Sequence, residues 1–143
     1  ELTNDLVELA RSLYLGERVN FVGTKAQTEL QDILTKFDTF VFPTERKSES
    51  LGLVGLEAMA CGIPVIGSKI GGLEDYIVND SNGYFFEPGN PVDLAQRLVM
   101  FRALPRAKKL SLYAAARKTA HCYDASLENE KLLRVIENIA KSP

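Results

Sequence analysis

Two glutamates, Glu49 and Glu57, mark the part of this chain where residue types and spacing could support chemistry. Seven residues separate them, and these include Gly52, whose missing side chain suits a turn before a helix. A carboxylate can accept hydrogen bonds from two neighbouring hydroxyls, and the start of a helix favours anions. Two carboxylates around a helix start therefore suit a ligand with hydroxyls on one side and phosphate on the other, such as a nucleotide sugar.

The residues after this pair follow a specific order. Glu57 opens the run E-A-M-A-C-G-I-P-V, and Gly71-Gly72 closes the segment. In this order and spacing the segment resembles the donor-binding motif of retaining glycosyltransferases with the GT-B fold, above all glycosyltransferase family 4. The matching positions are Glu49, Gly52, Leu53, Glu57, Ala58, Met59, Ala60, Cys61, Gly62, Pro64, Val65, Gly71 and Gly72, with further matches at 19–23, 38–43, 82–83 and 88–89.

The resemblance implies a role for each glutamate. Glu57 would hydrogen-bond the hydroxyls of the nucleotide ribose. Glu49, the expected catalytic residue, would contact hydroxyls of the transferred sugar and help stabilise positive charge that develops on it in the transition state. Two structural alternatives remain open, because Glu57 could be a helix-surface residue satisfied by a lysine and Glu49 a first-turn acid favoured by the helix dipole.

The resemblance also implies donor contacts made largely by backbone groups. The expected positions are Leu51, Gly52, Leu53, Val54, Gly23, Thr24, Gly71 and Gly72. The first four would present N–H groups to the diphosphate at the helix start, the next two would line the base, and the last two lie in a loop near the donor. Gly52 could instead only shape its turn, and Gly71-Gly72 could be turn residues ahead of a helix.

Composition places the chain among ordinary soluble globular proteins. It has 143 residues, of which 45% are hydrophobic and 25% charged, and its length predicts a single domain. No run of eighteen apolar residues and no signal sequence occurs, which predicts a cytoplasmic location with buried, reduced thiols at Cys61 and Cys122. With one histidine and no zinc-like spacing or D-x-D pair, we expect no metal ligands, and no cofactor is predicted.

A basic stretch covers 94–123, where seven lysines and arginines occur without one acid. This stretch could face anionic membrane lipid, so that the parent protein would associate peripherally with a membrane, or it could face another domain. The alternative is a pair of solvated helices whose charge offsets an acidic remainder. Aromatic residues are sparse there, which argues against a nucleic-acid surface.

Apolar periodicity predicts alternating strands and helices, and hence an α/β fold with a Rossmann-like parallel sheet and flanking helices. Ligands of such sheets bind beyond the carboxyl ends of the strands, where Gly23, Pro43 and Ser68 fall. The predicted strands cover 19–22, 39–42, 64–67 and 83–86, and the predicted helices cover 2–15, 27–37, 53–60, 73–78, 91–101, 106–122 and 126–140.

The resemblance implies that the chain is a truncated carboxyl-terminal, nucleotide-sugar-binding domain spanning 1–143. A GT-B carboxyl-terminal domain normally opens with a strand–helix–strand unit carrying an arginine and a lysine that hold the diphosphate. That unit precedes the helix matched by 2–15, so it is expected to be absent here, as is the amino-terminal domain that binds the acceptor.

The expected function is therefore the donor-binding part of a retaining glycosyltransferase, with a UDP-, GDP- or ADP-linked sugar as donor and an acceptor hydroxyl. We expect this fragment alone to be inactive. Alternatives are a non-catalytic nucleotide-sugar-binding module, a GT-B-like sugar-nucleotide epimerase, and a scaffold that keeps only the fold. The epimerase is not expected to reproduce the order of residues that begins at Glu49.

Overall fold

The computed structural model describes residues 2–126, 129–130, 133–134 and 136, which fall into two compact units, one up to Leu30 and one from Gln31. The strands are β1 (Phe40–Phe42), β2 (Val65–Ser68) and β3 (Gly83–Phe86). The helices are α1 (Leu2–Ser12), α2 (Gln27–Leu34), α3 (Leu53–Ala60), α4 (Leu73–Tyr76), α5 (Pro91–Ala103) and α6 (Arg106–Cys122), with a 3-10 turn at Gly16–Arg18.

The second unit is built on a parallel sheet in the order β1-β2-β3. Val65 of the central strand pairs with Phe40 on one side and with Gly83 on the other. All four residues of β2 are buried, as expected for a parallel strand covered on both faces by helices. The predicted α/β class, with a parallel sheet and flanking helices, is confirmed.

The main core of this unit lies between the sheet and two helices. Ile66, Tyr84 and Phe86 of the sheet pack against Phe101 of α5 and Leu112 of α6, and all five residues are almost fully buried. Ile66 belongs to the apolar run that predicts β2. The core therefore fixes the sheet, and with it the carboxyl ends of the strands where the candidate site begins.

Local sequence signals account for several helix ends. Asn90 caps α5, because its Oδ1 accepts hydrogen bonds from the N–H groups of Val92 and Asp93 at 3.1 and 3.0 Å. At the other end of α3, Gly62 has φ +83° and Ile63 donates its N–H to the carbonyl of Ala58. This is a Schellman ending, so the A-C-G-I part of the recognised run terminates the helix.

Most predicted elements are observed, with boundaries that differ by a few residues. The helices predicted over 53–60 and 106–122 and the strand predicted over 83–86 have the observed bounds. The helices predicted over 2–15, 27–37 and 73–78 end two or three residues earlier than expected, and the one over 91–101 ends two later. The helix predicted over 126–140 lies largely outside the described residues.

The strand predicted over 19–22 is not formed. Val19 has an extended backbone, with φ −117° and ψ 121°, but the segment joins no sheet among the described residues. Val19, Phe21 and Val22 are 38–46% exposed, so their β-forming side chains have little to pack against. A strand needs a hydrogen-bonded neighbour as well as a suitable sequence, because what stabilises it is pairing and packing.

The prediction of two buried cysteines is wrong for Cys122 and only partly correct for Cys61. Both thiols are free, but Cys61 is half-buried, whereas Cys122 is exposed at the last turn of α6. The Cys122 thiol lies 3.4 Å from the carbonyl oxygen of Lys118, on its own helix. Burial raises the pKa of the Cys61 thiol, and the Arg117 guanidinium partly opposes that rise.

Candidate functional site

The candidate site begins where β1 ends and the chain turns into α3. Gly52 stands at the N-cap of α3 in the left-handed region, with φ 63° and ψ 56°. Having no side chain, it offers no side-chain acceptor to the first N–H groups of α3. Such an end, with its partial positive charge, is suited to an anion.

Close packing beneath the turn also requires glycine at position 52. A β-carbon there would lie 2.6 Å from Cε1 of Phe42 and 3.1 Å from Cδ1 of Leu73. Gly52 is buried, whereas the next residue, Leu53, is 65% exposed. The turn is therefore held against the end of β1 and the start of α4, while the helix opens toward solvent.

The Gly71-Gly72 turn lies directly against the segment that carries the first glutamate. The N–H of Gly72 donates to the carbonyl of Glu49 at 3.1 Å. Gly71 has φ +57°, and a β-carbon there would lie 2.6 Å from the same carbonyl oxygen. The structure thus brings together three regions that the sequence singled out, namely Glu49, the Gly52 turn and the Gly71-Gly72 turn.

A short turn holds Glu49, and Thr44 is part of it. The Thr44 hydroxyl donates to Oε2 of Glu49 at 3.4 Å and accepts a hydrogen bond from the N–H of Arg46 at 3.2 Å. The N–H of Glu49 in turn donates to the carbonyl of Arg46 at 3.0 Å. Sequence reasoning missed Thr44, since a hydroxyl residue in a polar loop carries no distinctive local signal.

Glu57 lies on α3, four residues after the first helical residue, Leu53. This places it about 6 Å along the helix axis from that end. The side chain is half-buried, and its charge contributes to the raised pKa of the Cys61 thiol. Along the chain, Glu49 precedes the exposed start of α3 and Glu57 follows it, and their contacts with a donor stay a prediction.

Tyr76, at the end of α4, is a further residue of the site that sequence reasoning missed. Its hydroxyl donates to the carbonyl oxygen of Gly52 at 3.3 Å. Burial, and next the negative charge of Glu49, raise the pKa of Tyr76 above its ordinary value. The hydroxyl therefore stays protonated across the physiological range and can act as a hydrogen-bond donor under the turn.

Gly23 and Thr24, the residues expected at the base, lie in the first unit. Both are exposed, and Gly23 has φ +65°. A β-carbon at Gly23 would meet nothing within 4 Å, so the backbone conformation alone accounts for glycine there. Their part in donor binding stays a prediction.

Two further observations concern metal binding and membrane-spanning helices. Within the described part of the chain, no cluster of histidine, cysteine or acidic side chains has the geometry to hold a metal ion. Of the helices that the structure describes, none combines the length and apolar character needed to cross a membrane.

Contacts within the second unit engage part of the basic stretch over 94–123. Lys108 Nζ lies 3.0 Å from Oδ1 of Asp80, and Arg97 Nε lies 3.3 Å from Oδ1 of Asp93. Lys109 Nζ donates to the carbonyl of Arg102 and lies 5.4 Å from the centre of the Phe101 ring. These contacts give three of the seven basic side chains a structural role, whereas membrane association stays a prediction.

Comparison with known proteins decides the family. Residues 1–119, most of the chain, match the family model described as glycosyl transferases group 1. The chain belongs to this family. The resemblance drawn from the run around Glu49 and Glu57 is thereby confirmed, and the fold of this group 1 glycosyltransferase chain matches carboxyl-terminal domains of GT-B enzymes.

Similar proteins show how much of a group 1 glycosyltransferase this chain represents. D-inositol 3-phosphate glycosyltransferase 2 of Catenulispora acidiphila is 35% identical over 92% of this chain and 33% of its own length. Sucrose-phosphate synthase from Thermosynechococcus elongatus has a TM-score of 0.80 and 29% identity, over 95% of this chain and 34% of that one. The carboxyl-terminal domain of a Francisella tularensis group 1 glycosyl transferase has a TM-score of 0.76 and 25% identity, over 87% and 63%. The chain spans about a third of the curated relatives that it matches.

Proposed function

We propose that this chain is the donor-binding part of a retaining glycosyltransferase that moves a sugar from a nucleotide diphosphate sugar to an acceptor hydroxyl. The observation that carries the proposal is the exposed amino terminus of α3 after Gly52, with the Gly71-Gly72 turn packed against the segment that carries Glu49 and with Glu57 about one turn into the helix. Membership of the glycosyl transferases group 1 family supports the same reading.

The diphosphate would bind at the start of α3. The N–H groups of Leu53 and Val54 and the helix dipole would stabilise its negative charge, which increases when the bond from the anomeric carbon to the diphosphate oxygen breaks. The N–H groups of Leu51 and Gly52 would add to this charge stabilisation, and Gly52, which has no side chain, would allow the phosphates to approach the backbone closely. Basic side chains outside the described site would share this task, as the family resemblance implies.

The two carboxylates would hold the neutral parts of the donor. Glu57 would accept hydrogen bonds from the ribose hydroxyls, and Glu49, oriented by the Thr44 hydroxyl, would accept from hydroxyls of the sugar. Neither carboxylate could usefully contact the diphosphate, because like charges repel. Glu49 would also stabilise positive charge on the sugar ring as the leaving diphosphate departs.

Calorimetric titration of the chain with UDP, GDP and ADP tests this proposal. One nucleotide should bind, and Glu57→Gln should weaken it about ten-fold or more, because a hydrogen bond to a charged acceptor is stronger than one to an amide. Glu8→Gln, which removes the same charge from an exposed position on α1, is the matched control and should leave the affinity unchanged. Equal effects of the two variants would contradict the assigned role of Glu57.

Product analysis of a longer protein containing this chain separates the alternatives. A transferase releases nucleotide diphosphate and yields a sugar joined to an acceptor, with the anomeric configuration of the donor if it is retaining. An epimerase returns a changed sugar nucleotide, and a non-catalytic binding module returns the donor unchanged. The cytoplasmic location and the peripheral membrane association stay predictions beside this proposal.

A further inference from the structure

Tyr76 is a buried side chain beneath the proposed phosphate-binding turn. It is 2% exposed, and its ring packs edge-on against that of Tyr123, with 6.2 Å between the ring centroids. Its hydroxyl reaches the carbonyl oxygen of Gly52, which also accepts the N–H of Gly55 at 2.9 Å. Two donors from different parts of the chain therefore fix the direction of this carbonyl.

The direction of the Gly52 carbonyl determines the direction of the Leu53 N–H. The two groups belong to one planar trans peptide, in which C=O and N–H point in opposite directions. Since the Gly52 oxygen points inward to Tyr76, the Leu53 N–H points outward, at the exposed start of α3. A Gly52–Leu53 peptide group that could rotate freely would not hold the Leu53 N–H in one direction.

The missing side chain of Gly55 leaves room for the Tyr76 hydroxyl. Glycine inside a helix is unfavourable relative to alanine, yet Gly55 is buried in the first turn of α3. A β-carbon at position 55 would clash with the Tyr76 hydroxyl oxygen. The sequence thus has glycine, an unfavourable helix residue, at a position where a β-carbon would clash with this hydroxyl.

We infer that Tyr76 is a positioning residue for donor binding. Its hydroxyl orients the Gly52–Leu53 peptide so that the Leu53 N–H faces the diphosphate. The inference rests on the proposed function, because it assigns the diphosphate to the start of α3. It predicts that loss of the hydroxyl weakens recognition of the phosphates and leaves recognition of the nucleoside unchanged.

The test compares Tyr76→Phe with Tyr84→Phe. Tyr84 is also buried, and its hydroxyl donates to Asp80 at 2.8 Å, so the control removes an equivalent group from β3. NMR titrations with the nucleoside diphosphate that binds best and with its nucleoside give the two affinities. Tyr76→Phe should weaken the diphosphate about five-fold and leave the nucleoside unchanged, whereas Tyr84→Phe should alter neither. An unchanged diphosphate affinity, or equal losses for both ligands, overturns the inference.

A second readout needs no ligand. In the free chain, Tyr76→Phe should shift the amide resonances of Leu53 and Gly55, and Tyr84→Phe should not. Unchanged Leu53 and Gly55 resonances in Tyr76→Phe overturn the inference even if nucleotide binds. A wild-type chain that binds no nucleotide overturns the proposed function, and with it the donor-binding role of Tyr76, so the two failures are distinguishable.

Discussion

Gly72 lies so close to Ser50 that a β-carbon at position 72 would overlap the Ser50 carbonyl oxygen. The two residues belong to different loops, one before α3 and one before α4. The neighbouring hydrogen bond from the Gly72 N–H to the Glu49 carbonyl joins the same loops. The Gly71-Gly72 turn thus supports the backbone that carries Glu49, a structural task that stands beside any contact with a donor.

Gly72→Ala should destabilise the chain by about 1–3 kcal/mol, the usual cost of forcing an extra methyl group into a packed region. Gly72 has φ −64°, which alanine adopts freely, so the cost is steric and not conformational. Urea denaturation followed by circular dichroism measures the effect. Gly16→Ala is the control, because a β-carbon at Gly16 would meet nothing within 4 Å. Equal stability of the two variants would show that the loops do not pack in this way.

Thr44→Val should separate sugar recognition from nucleotide recognition. The variant removes the hydrogen bond from Oγ1 of Thr44 to Glu49, which orients the carboxylate proposed to contact the sugar. The affinity for the sugar nucleotide should fall about two- to five-fold, and the affinity for the nucleoside diphosphate should stay the same. Thr39→Val is the control. It removes a comparable hydrogen bond, from Oγ1 of Thr39 to the carbonyl of Pro64, at a residue just before β1. Equal losses for both ligands in Thr44→Val would argue against a sugar-contacting role for Glu49.

Asn82→Ala should cost about 2–4 kcal/mol of stability, because it leaves buried polar groups without partners. Asn82 is 2% exposed and accepts from the Val78 N–H at 2.7 Å. Its amide group donates to the carbonyl of Tyr76 and to the Thr119 hydroxyl, each at 2.8 Å. It therefore ties the end of α4 to α6. Ser81→Ala, at an exposed neighbouring position, should change the free energy of unfolding by less than about 0.5 kcal/mol in the same urea experiment.

Tyr84 should make stability depend on alkaline pH. Burial, then the hydrogen bond to Asp80, raise its pKa from 10.0 to about 12. The folded chain holds this proton more tightly than the unfolded chain, so the stability that Tyr84 contributes is complete below pH 10 and is lost as the pH rises through about 12. The difference in unfolding free energy between wild type and Tyr84→Phe should be constant up to pH 10 and fall between pH 10 and 12. A constant difference across that range would show that the pKa is not raised.

The sequence predicted the parts of this fold that local patterns control. Apolar runs such as the one around Ile66 predict buried strands, and the small-residue run ending at Gly62 predicts both α3 and its termination. The segment over 19–22 has the residue types of a strand but joins no sheet in the described structure, because pairing depends on neighbours that local pattern cannot supply. Helix ends differed by up to three residues for a similar reason, since caps and tertiary contacts set them.

The residues of the candidate site also divide into those that a local sequence pattern reveals and those that only the folded structure reveals. Glu49, Glu57 and the glycines were found because their spacing matches a known motif. Thr44 was missed because a hydroxyl residue in a polar loop carries no distinctive signal, and Tyr76 because it acts through a hydrogen bond to a residue 24 positions away. The hydroxyl of Tyr76 and the glycine that accommodates it lie 21 positions apart, and only the folded chain reveals that they match.

An amide-shift titration of the isotope-labelled chain with UDP, GDP and ADP tests the central claim most directly. One nucleotide should shift resonances clustered at 51–57 and at Gly71-Gly72, and Glu57→Ala should weaken those shifts. Shifts clustered elsewhere, or none with any of the three nucleotides in a well-folded sample, would contradict donor binding at the start of α3.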